Sequence, residues 1–341
     1  MITEIESDID SGNYENFLRK NIVTFYQSEK HLRFLERILD SKVNFIISRE
    51  KEEILGILPF IIKNSNHGKV VNSLPFFGSY GGLIGNNKDA QKAILENLNI
   101  FNKQNEVLSC VIISNPFNPQ HEIYEKNFRF NNKEGRRVQC VVLDNKSEQT
   151  LWESFEQRTR RAVRKSKKSS IVINKNFDRD VLTRFYQMHK VDMESKGGRV
   201  KPWEFFENLE RSFIAGKDFD ILVGYNEDKP IVFLLVFYFH PFTEYYMPAY
   251  NAESKNLQGT SLLIWESMKI SISKGYQYYN FGGTGKNQTE LYKFKKGWNT
   301  TDFSYNYYIY RDLNRIKDIG IEEIKKHFSN FYVTSFAELL H

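Results

Sequence analysis

Hydrophobic and polar positions in the first half of the chain predict a series of strands interrupted by one helix. Two neighbouring segments, 43–49 and 54–62, alternate or run apolar and predict a β-hairpin. A short strand is predicted over 70–74. Residues 89–101 then carry apolar side chains at helical spacing, and 108–113 predict a further strand.

The second half repeats this order of elements. A hairpin, a strand, a helix and a closing strand are predicted over 219–225 with 230–239, 245–250, 260–273 and 276–281. Because the two halves share negligible sequence identity, the duplication rests on the pattern alone. It predicts an α/β (α+β) protein of two related domains, which we place at 1–145 and 146–341.

A strongly basic segment lies between the two halves. Residues 148–169 predict one long helix that contains RTRRAVRKSKK, and no acidic residue lies between Arg158 and Lys168. Three further helices are predicted over 180–194, 203–213 and 314–327.

Composition is that of an ordinary globular protein. The 341 residues suit about two domains, and 48 Lys+Arg against 42 Asp+Glu give a net charge of +6. Cys110 and Cys140 lie in apolar runs, which predicts buried, reduced thiols in strands and excludes a disulfide scaffold. The seven histidines lack spacings such as HxxxH, so no metal site is expected.

No segment of the sequence has the composition of a membrane span. The longest uninterrupted apolar run, 231–239, is far shorter than the ~20 residues that a spanning helix needs. The amino terminus, MITEIESDIDSG, is acidic and lacks the basic and apolar regions of a secretory signal. A cytoplasmic location is therefore expected, and contact with a membrane surface stays open.

Three segments carry a resemblance to a known family. They are SLPFFGSYGGL at 73–83, SLLIWESMKISISKGYQYYNFGG at 261–283 and LYKFKKGW at 291–298. In order and spacing they resemble the Fem-type acyltransferases, which transfer amino acids from aminoacyl-tRNA to peptidoglycan precursors and have relatives thought to use acyl-CoA. The resemblance covers about 43–310. It implies two tandem GNAT-like domains, each a mixed, mostly antiparallel sheet flanked by helices, with the first degenerate and the second catalytic.

The turn before the helix at 260–273 is the candidate donor site. A CoA pyrophosphate usually rests on a helix N-terminus after a glycine-rich turn. The corresponding residues here are Lys255, Gly259 and Thr260, but Gln258 stands where the pattern has its first glycine and Thr260 where it has its second small residue. An ordinary helix start remains the alternative. No tightly bound cofactor is expected, because the acyl donor is either aminoacyl-tRNA or acyl-CoA.

Two glycines at the end of a strand are candidate substrate contacts. In NFGGTGKN the spacing around Lys286 does not match a P-loop. Gly282 and Gly283 are instead expected to leave room for a substrate beside the sheet, or to form a structural turn alone. Tyr246 and Tyr250 lie where the family's acyl-binding strand is, and would line a groove or fill core.

The basic segment is a candidate phosphate-binding surface, since a solvated helix face usually mixes charge signs. Arg160, Arg161 and Arg164 are its candidate ligands, and the family resemblance adds Arg199 from GGRVKPWEFFENL. A simply solvated helix remains the alternative. DNA binding is not expected, because no helix-turn-helix or zinc-finger signature accompanies the patch.

The segment LYKFKKGW carries the candidate catalytic residues. Phe294 and Lys295 match the family's Phe-Lys pair, which in that family lies beside the reacting carbonyl, so Lys295 would stabilise the oxyanion. On a helix Lys293 and Lys296 point away from Lys295. Tyr292 is the reserve candidate, as a proton donor to the leaving group. The alternative is that all three lysines are solvated and only Phe294 and Trp298 pack inward.

These features together predict an acyltransferase that forms an amide by direct attack of an amine. The acyl group is aminoacyl or acetyl, and the acceptor is an amino sugar or muropeptide in a nucleotide- or lipid-linked envelope precursor. Acetyl-CoA-dependent N-acetylation of a nucleotide-linked amino sugar in surface polysaccharide synthesis is one alternative. A non-catalytic Fem-like scaffold that binds anionic glycan is another.

Overall fold

The computed structural model describes residues 1–76, 78–175, 177–285 and 287–333. Phe77 of the segment 73–83 and Lys286 of NFGGTGKN therefore lie outside the described residues. Two compact units divide the chain. The first unit holds residues 1–137 together with the described part of the segment that starts at Ser304, and the second holds 138–303.

The first unit contains an amino-terminal series of strands and helices and a short carboxy-terminal series. In chain order its amino-terminal elements are β1 (Ile2–Glu6), α1 (Ser11–Arg19), α2 (Glu29–Leu39), β2 (Val43–Glu50), β3 (Glu53–Ser65), β4 (Gly68–Asn72), α3 (Lys88–Gln104), β5 (Val107–Ile113) and α4 (His121–Asn127). The strand order is β1-β2-β3-β4-β5, with only β4 and β5 parallel among these neighbouring pairs.

The second unit begins within β6 (Asn132–Val142). Its other elements are α5 (Glu148–Ser154), α6 (Gln157–Lys167), β7 (Val172–Lys175), α7 (Arg179–Ser195), α8 (Trp203–Glu207), α9 (Leu209–Ser212), β8 (Phe219–Asn226), β9 (Lys229–Phe239), β10 (Phe242–Tyr250), α10 (Gly259–Ser273), β11 (Tyr278–Thr284) and α11 (Thr289–Lys296). The strand order is β6-β11-β10-β9-β8-β7. Strands β7 to β10 pair antiparallel, whereas β10 and β11 are parallel.

The chain returns to the first unit through β12 (Thr301–Arg311), which is followed by α12 (Leu313–Ile319) and α13 (Ile321–His327). Residues of β12 from Tyr307 onward pair antiparallel with β5. This pairing explains why the compact units divide the chain differently from the predicted domains 1–145 and 146–341. The last strand completes the sheet of the first unit.

Both units contain the repeated order that the hydrophobic pattern predicts. A hairpin, a strand, a helix and a parallel strand follow one another as β2, β3, β4, α3 and β5, and again as β8, β9, β10, α10 and β11. The mixed α/β class with mostly antiparallel pairing is thus confirmed. Each unit has its own apolar core, one packed around Leu58, Leu95 and Tyr308 and the other around Leu234, Trp265 and Trp298.

Helix predictions were wrong where one or two residues interrupt a regular pattern. The predicted helix over 148–169 is two helices, because Phe155 is extended at ψ 150° and buries its ring against Trp298, 5.1 Å away. The predicted helix over 314–327 is also two, separated by Gly320 at φ +86°. That left-handed backbone favours glycine and ends α12.

Two smaller predictions concern the thiols and the membrane. Cys110 on β5 and Cys140 on β6 are free and buried, as the sequence predicts. Burial raises the pKa of Cys110 to about 12, so this thiol is inert. Among the described residues, no helix combines the length and the apolar character that crossing a bilayer requires.

Candidate active site

The two parallel strands of the second unit, β10 and β11, pair only over a short stretch. Strand β10 pairs with β11 only over Phe242–Glu244 against Tyr278–Asn280, and then each strand continues, to Tyr250 and Thr284 respectively. A register shift against β9 between Tyr245 and Met247 bends β10 at the same level. Diverging strands leave main-chain groups that a ligand can use. The opening after Glu244 and Asn280 is therefore a candidate binding cleft.

Gly282 lies on the β11 side of this opening. Its φ is +71°, and a Cβ built there would meet no described atom within 4 Å. The space beside the glycine is open, and its use by a substrate stays a prediction.

Lys295 points from α11 to Gly282 and Gly283 near the end of β11. Its Nζ donates to the carbonyl oxygens of Gly282 and Gly283, at 3.1 and 2.9 Å, and to Oγ1 of Thr284 at 2.9 Å. The side chain is buried, with only 3% of the residue exposed. Burial lowers the pKa of Lys295 to about 7, while three oxygen acceptors favour the charged form. A buried cation is thus fixed at one edge of the opening.

The neighbouring lysines of α11 have a different environment. Lys293 is exposed and pairs with Glu290, and Lys296 pairs with Asp302. The prediction that these two side chains point away from Lys295 is confirmed. The alternative in which all three lysines are solvated is wrong, although Phe294 does pack against Trp298, with the ring centroids 6.5 Å apart.

Buried hydrogen bonds link Asn280 to Glu244, to Cys140 and to Gly282 of β11. Asn280 Nδ2 donates to both carboxylate oxygens of Glu244, at 3.1 and 2.9 Å. The Oδ1 atom of Asn280 accepts from the main-chain N–H of Gly282 at 2.9 Å and from the Cys140 thiol at 3.3 Å. All three side chains are at most 1% exposed. The side-chain amide of Asn280 therefore fixes the position of Gly282, whose carbonyl oxygen accepts from Lys295.

Sequence reasoning missed Glu244 and Asn280. The available signal was a charged residue inside the apolar strand FTEYY, since a buried carboxylate needs partners and usually has a structural or functional reason. Gln139 was missed in the same way. Its Oε1 accepts from Thr284 Oγ1 at 3.0 Å, which completes the polar surroundings of Lys295.

Tyr292 hydrogen-bonds to Asp302 of β12. Its hydroxyl donates to Oδ2 of Asp302 at 3.0 Å, and the same aspartate accepts from Lys296 Nζ at 3.2 Å. The structure thus gives this tyrosine a structural partner, and its role as a proton donor stays a prediction.

The predicted donor turn precedes α10. Lys255 is exposed on a short 3₁₀ helix, Ala252–Leu257, and Gln258 adopts a left-handed conformation at φ +59°. Gly259 is buried, and a Cβ there would approach Val232 Cγ1 to 2.8 Å. Packing therefore requires this glycine independently of any ligand. The first N–H groups of α10, from Gly259 and Thr260, lack intrahelical partners and are available to an anion.

Aromatic side chains and lysines meet on the outer part of β10. Tyr246 stacks on Phe205 with the centroids 5.6 Å apart, and Lys201 Nζ lies 4.9 Å from the Tyr246 ring centroid. Tyr250 carries Lys196 Nζ 4.5 Å from its ring centroid. Both tyrosines are half-buried, so they neither fill the core nor stand free.

Lys201, which sequence reasoning missed, is a second buried cation. Burial lowers its pKa to about 7. Its main-chain N–H donates to His189 Nε2 at 3.1 Å. Arg199 is exposed in the same loop between α7 and α8, so this loop brings together a buried and an exposed positive charge.

The three arginines of α6 that the sequence predicts as phosphate ligands have three different environments. Arg160 Nη1 donates to the carbonyl oxygens of Glu153 and Phe155, at 2.7 and 2.8 Å, and so closes the end of α5. The guanidinium of Arg164 lies 5.5 Å from the Trp152 ring centroid. Arg161 is exposed.

Comparisons with known proteins agree with this architecture. Residues 153–296 match the acetyltransferase (GNAT) domain, a span that contains every predicted site residue from Arg160 to Lys295. None of the curated proteins matches the sequence significantly.

Solved structures share the fold over most of the chain. The crystal structure of FemX matches with a TM-score of 0.73 and 15% identity, over 94% of this chain and 99% of FemX. L-PGS from Bacillus licheniformis matches with a TM-score of 0.60 and 14% identity, over 95% and 98%. A tandem GNAT protein from the clavulanic acid biosynthesis pathway matches with a TM-score of 0.57 and 8% identity, over 90% and 97%.

At such low identities, these matches show only that the fold is shared. The family match indicates an acetyltransferase domain in the second unit. A GNAT domain lies within a fold shared with FemX and with a tandem GNAT protein, which confirms the predicted fold class. Residues 153–296 match an acetyltransferase (GNAT) domain, which supports an acyltransferase, and the chain shares the fold of FemX.

Proposed function

We propose that this protein forms an amide by transferring an aminoacyl or acetyl group to an amino group of a cell-envelope precursor. The observation that carries the proposal is the buried cation Lys295 at the edge of the opening between β10 and β11. Such a transfer needs a neutral amine, a fixed acyl carbonyl and positive charge near the oxygen that becomes an oxyanion. It needs no nucleophilic serine or cysteine, because the acceptor amine attacks the carbonyl directly.

Lys295 supplies that charge from a preorganised position. Its three N–H donors already bond to Gly282, Gly283 and Thr284. In this state it acts on the oxyanion through its charge, and it becomes a direct donor when one of these bonds exchanges. Low exposure strengthens either effect, since water does not screen the interaction. Asn280 holds Gly282 of β11 in place by accepting a hydrogen bond from its main-chain N–H.

The donor is assigned to the opening and to the start of α10. An acyl-CoA would place its pyrophosphate at the N–H groups of Gly259 and Thr260, with Lys255 beside them. The GNAT family match favours this donor, whereas the Fem-type resemblance favours aminoacyl-tRNA. Tyr246 and Tyr250 would line the acyl side of the groove.

The acceptor is proposed to be a nucleotide- or lipid-linked amino sugar or muropeptide. Its phosphates require positive charge, which Arg161, Arg164 and Arg199 offer from exposed positions. Arg160 is excluded from this role in our proposal because two carbonyl oxygens already hold its guanidinium. We propose a cytoplasmic location for the protein, because such a precursor is built on the inner side of the membrane.

A second candidate function is acetyl-CoA-dependent N-acetylation of a nucleotide-linked amino sugar. The specific observation in its favour is the acetyltransferase match over 153–296. We do not carry the non-catalytic scaffold forward, because the acetyltransferase match over 153–296 favours catalysis.

The deciding experiment supplies each donor separately to the purified full chain. Labelled acetyl-CoA or charged tRNA is incubated with extracts of envelope precursors, and mass spectrometry records the mass added to the acceptor. We expect one donor to be consumed by wild type and not by Lys295→Ala. Transfer to a hydroxyl in place of an amine, or no transfer from either donor, would overturn the proposal.

A further inference from the structure

Three side chains with metal-binding atoms meet in the first unit. His67 lies in the turn between β3 and β4, and Glu323 and His327 lie four residues apart on α13. The Nε2 atoms of His327 and His67 lie 3.1 and 3.7 Å from Glu323 Oε2. All three ligand atoms lie within 4.8 Å of one another.

These separations approach those of a coordinated ion. Around a tetrahedral Zn²⁺ with bonds of about 2.0–2.2 Å, neighbouring ligand atoms lie about 3.3 Å apart. Binding an ion would require side-chain rotations that shorten the widest separation, at most 4.8 Å, toward that distance. Two imidazoles and one carboxylate form the ligand set of many zinc sites, which leave a fourth position for water.

The backbone holds both sides of the cluster in place. The main-chain N–H of His67 donates to Ser65 Oγ at 3.1 Å, and its carbonyl oxygen accepts from Arg315 Nη2 at 3.2 Å. On α13, Ile324 is buried and fixes which face of the helix carries Glu323 and His327. The ligands are partly exposed, so an ion can reach them from solvent.

The charge distribution also suits a divalent ion. One oxygen of Glu323, Oε1, faces Lys326 Nζ at 3.6 Å, while Oε2 faces both imidazoles. The two imidazole rings lie only 4.9 Å apart by centroid. Two imidazolium groups at that distance repel, whereas two neutral imidazoles can share one cation.

We propose that His67, Glu323 and His327 bind one Zn²⁺ ion, which ties α13 to the β3–β4 turn within the first unit. The ion would close a loop of the chain between residues 67 and 327, so its main effect is on the stability of this unit. The expectation of no metal site came from spacing along the sequence. Spacing detects Glu323 and His327 but cannot detect a third ligand that the fold brings from residue 67.

The test uses the full chain after treatment with EDTA. Titration calorimetry with Zn²⁺ should show one site, and Zn²⁺ should raise the melting temperature reversibly. His67→Ala, Glu323→Gln and His327→Ala should each weaken binding by about tenfold or more and abolish the temperature shift. His240→Ala, which removes an exposed imidazole from the second unit, is the matched control and should behave as wild type.

Glu323→Gln keeps the size and hydrogen-bonding capacity of the side chain, so it serves if an alanine variant fails to fold. Co²⁺ should give the absorption bands of a four-coordinate ion, and Mg²⁺ should have no effect on the melting temperature. Binding of Zn²⁺ that is equal in wild type and in the three ligand variants would overturn the proposal. An equal response to Mg²⁺, or no binding by wild type, would do so as well.

Discussion

The basic helix α6 and the short helix α11 show two different uses of positive charge. Helix α6 carries a dense run of cations, and its arginines serve the fold or face solvent. Helix α11 carries three lysines, of which Lys293 and Lys296 have acidic partners and Lys295 is buried among oxygen acceptors. The denser run looks more functional in the sequence. The buried single charge is the better candidate for chemistry.

Solvent accounts for the difference. A cation in water is screened and interacts weakly with any one atom, whereas a buried cation acts strongly on nearby charge and costs free energy to maintain. A fold keeps such a group only when its surroundings are arranged for it. Around Lys295 the chain supplies Gly282, Gly283 and Thr284, and behind them Asn280 and Glu244.

The largest expected effect comes from removing the buried charge. Lys295→Ala should lower kcat about a hundredfold or more, since losing a comparable oxyanion donor costs roughly 2.7–4 kcal/mol. Steady-state kinetics with the identified donor measures it. Lys293→Ala removes a solvated lysine two residues away and is the matched control, with kcat expected to stay within about twofold of wild type.

Equal losses in the two variants would mean that the net charge of α11 matters, not the burial of Lys295. A kcat of Lys295→Ala within threefold of wild type would show that Lys295 does not stabilise the oxyanion. Tyr292→Phe would then be the next variant, since Tyr292 is the reserve candidate.

The pH dependence of kcat gives the next effect. The pKa of Lys295 is lowered to about 7, so the ammonium is present below that pH and is lost above it. If the charge acts on the oxyanion, the active fraction of the enzyme falls by about tenfold per pH unit above the pKa of Lys295. The acceptor amine must be neutral, and below the amine's own pKa its neutral fraction rises with pH and offsets that fall. The decline above pH 7 is therefore expected in kcat divided by the neutral fraction of the amine, which is titrated separately.

Lys295→Arg tests the origin of the falling limb. An arginine stays protonated throughout this range. Whatever its absolute rate, the variant should lose the decline above pH 7. A decline of unchanged midpoint in Lys295→Arg would assign it to another group, and Lys201, with a pKa of about 7, would be the first to examine.

How much the sequence predicts depends on the range of the interactions involved. The hairpins and the crossing helices follow from local periodicity, and both repeats were predicted within a few residues. The break between α5 and α6 at Phe155 was not predicted, because it depends on a tertiary contact with Trp298. Lys295 was found through a family resemblance. Glu244 and Asn280 were missed because their pairing joins two strands 36 residues apart.

The smallest expected effect separates two neighbouring arginines of α6. Arg160→Ala removes two charge-assisted hydrogen bonds to the carbonyl oxygens that end α5. It should lower the free energy of unfolding by about 1–2 kcal/mol, as measured by urea denaturation, and leave the acceptor KM unchanged. Arg161→Ala should do the reverse, because its guanidinium is exposed and can hold a phosphate of the acceptor. If Arg160→Ala raises KM at unchanged stability, the phosphate site extends to Arg160, and the distinction between structural and binding charges on α6 fails.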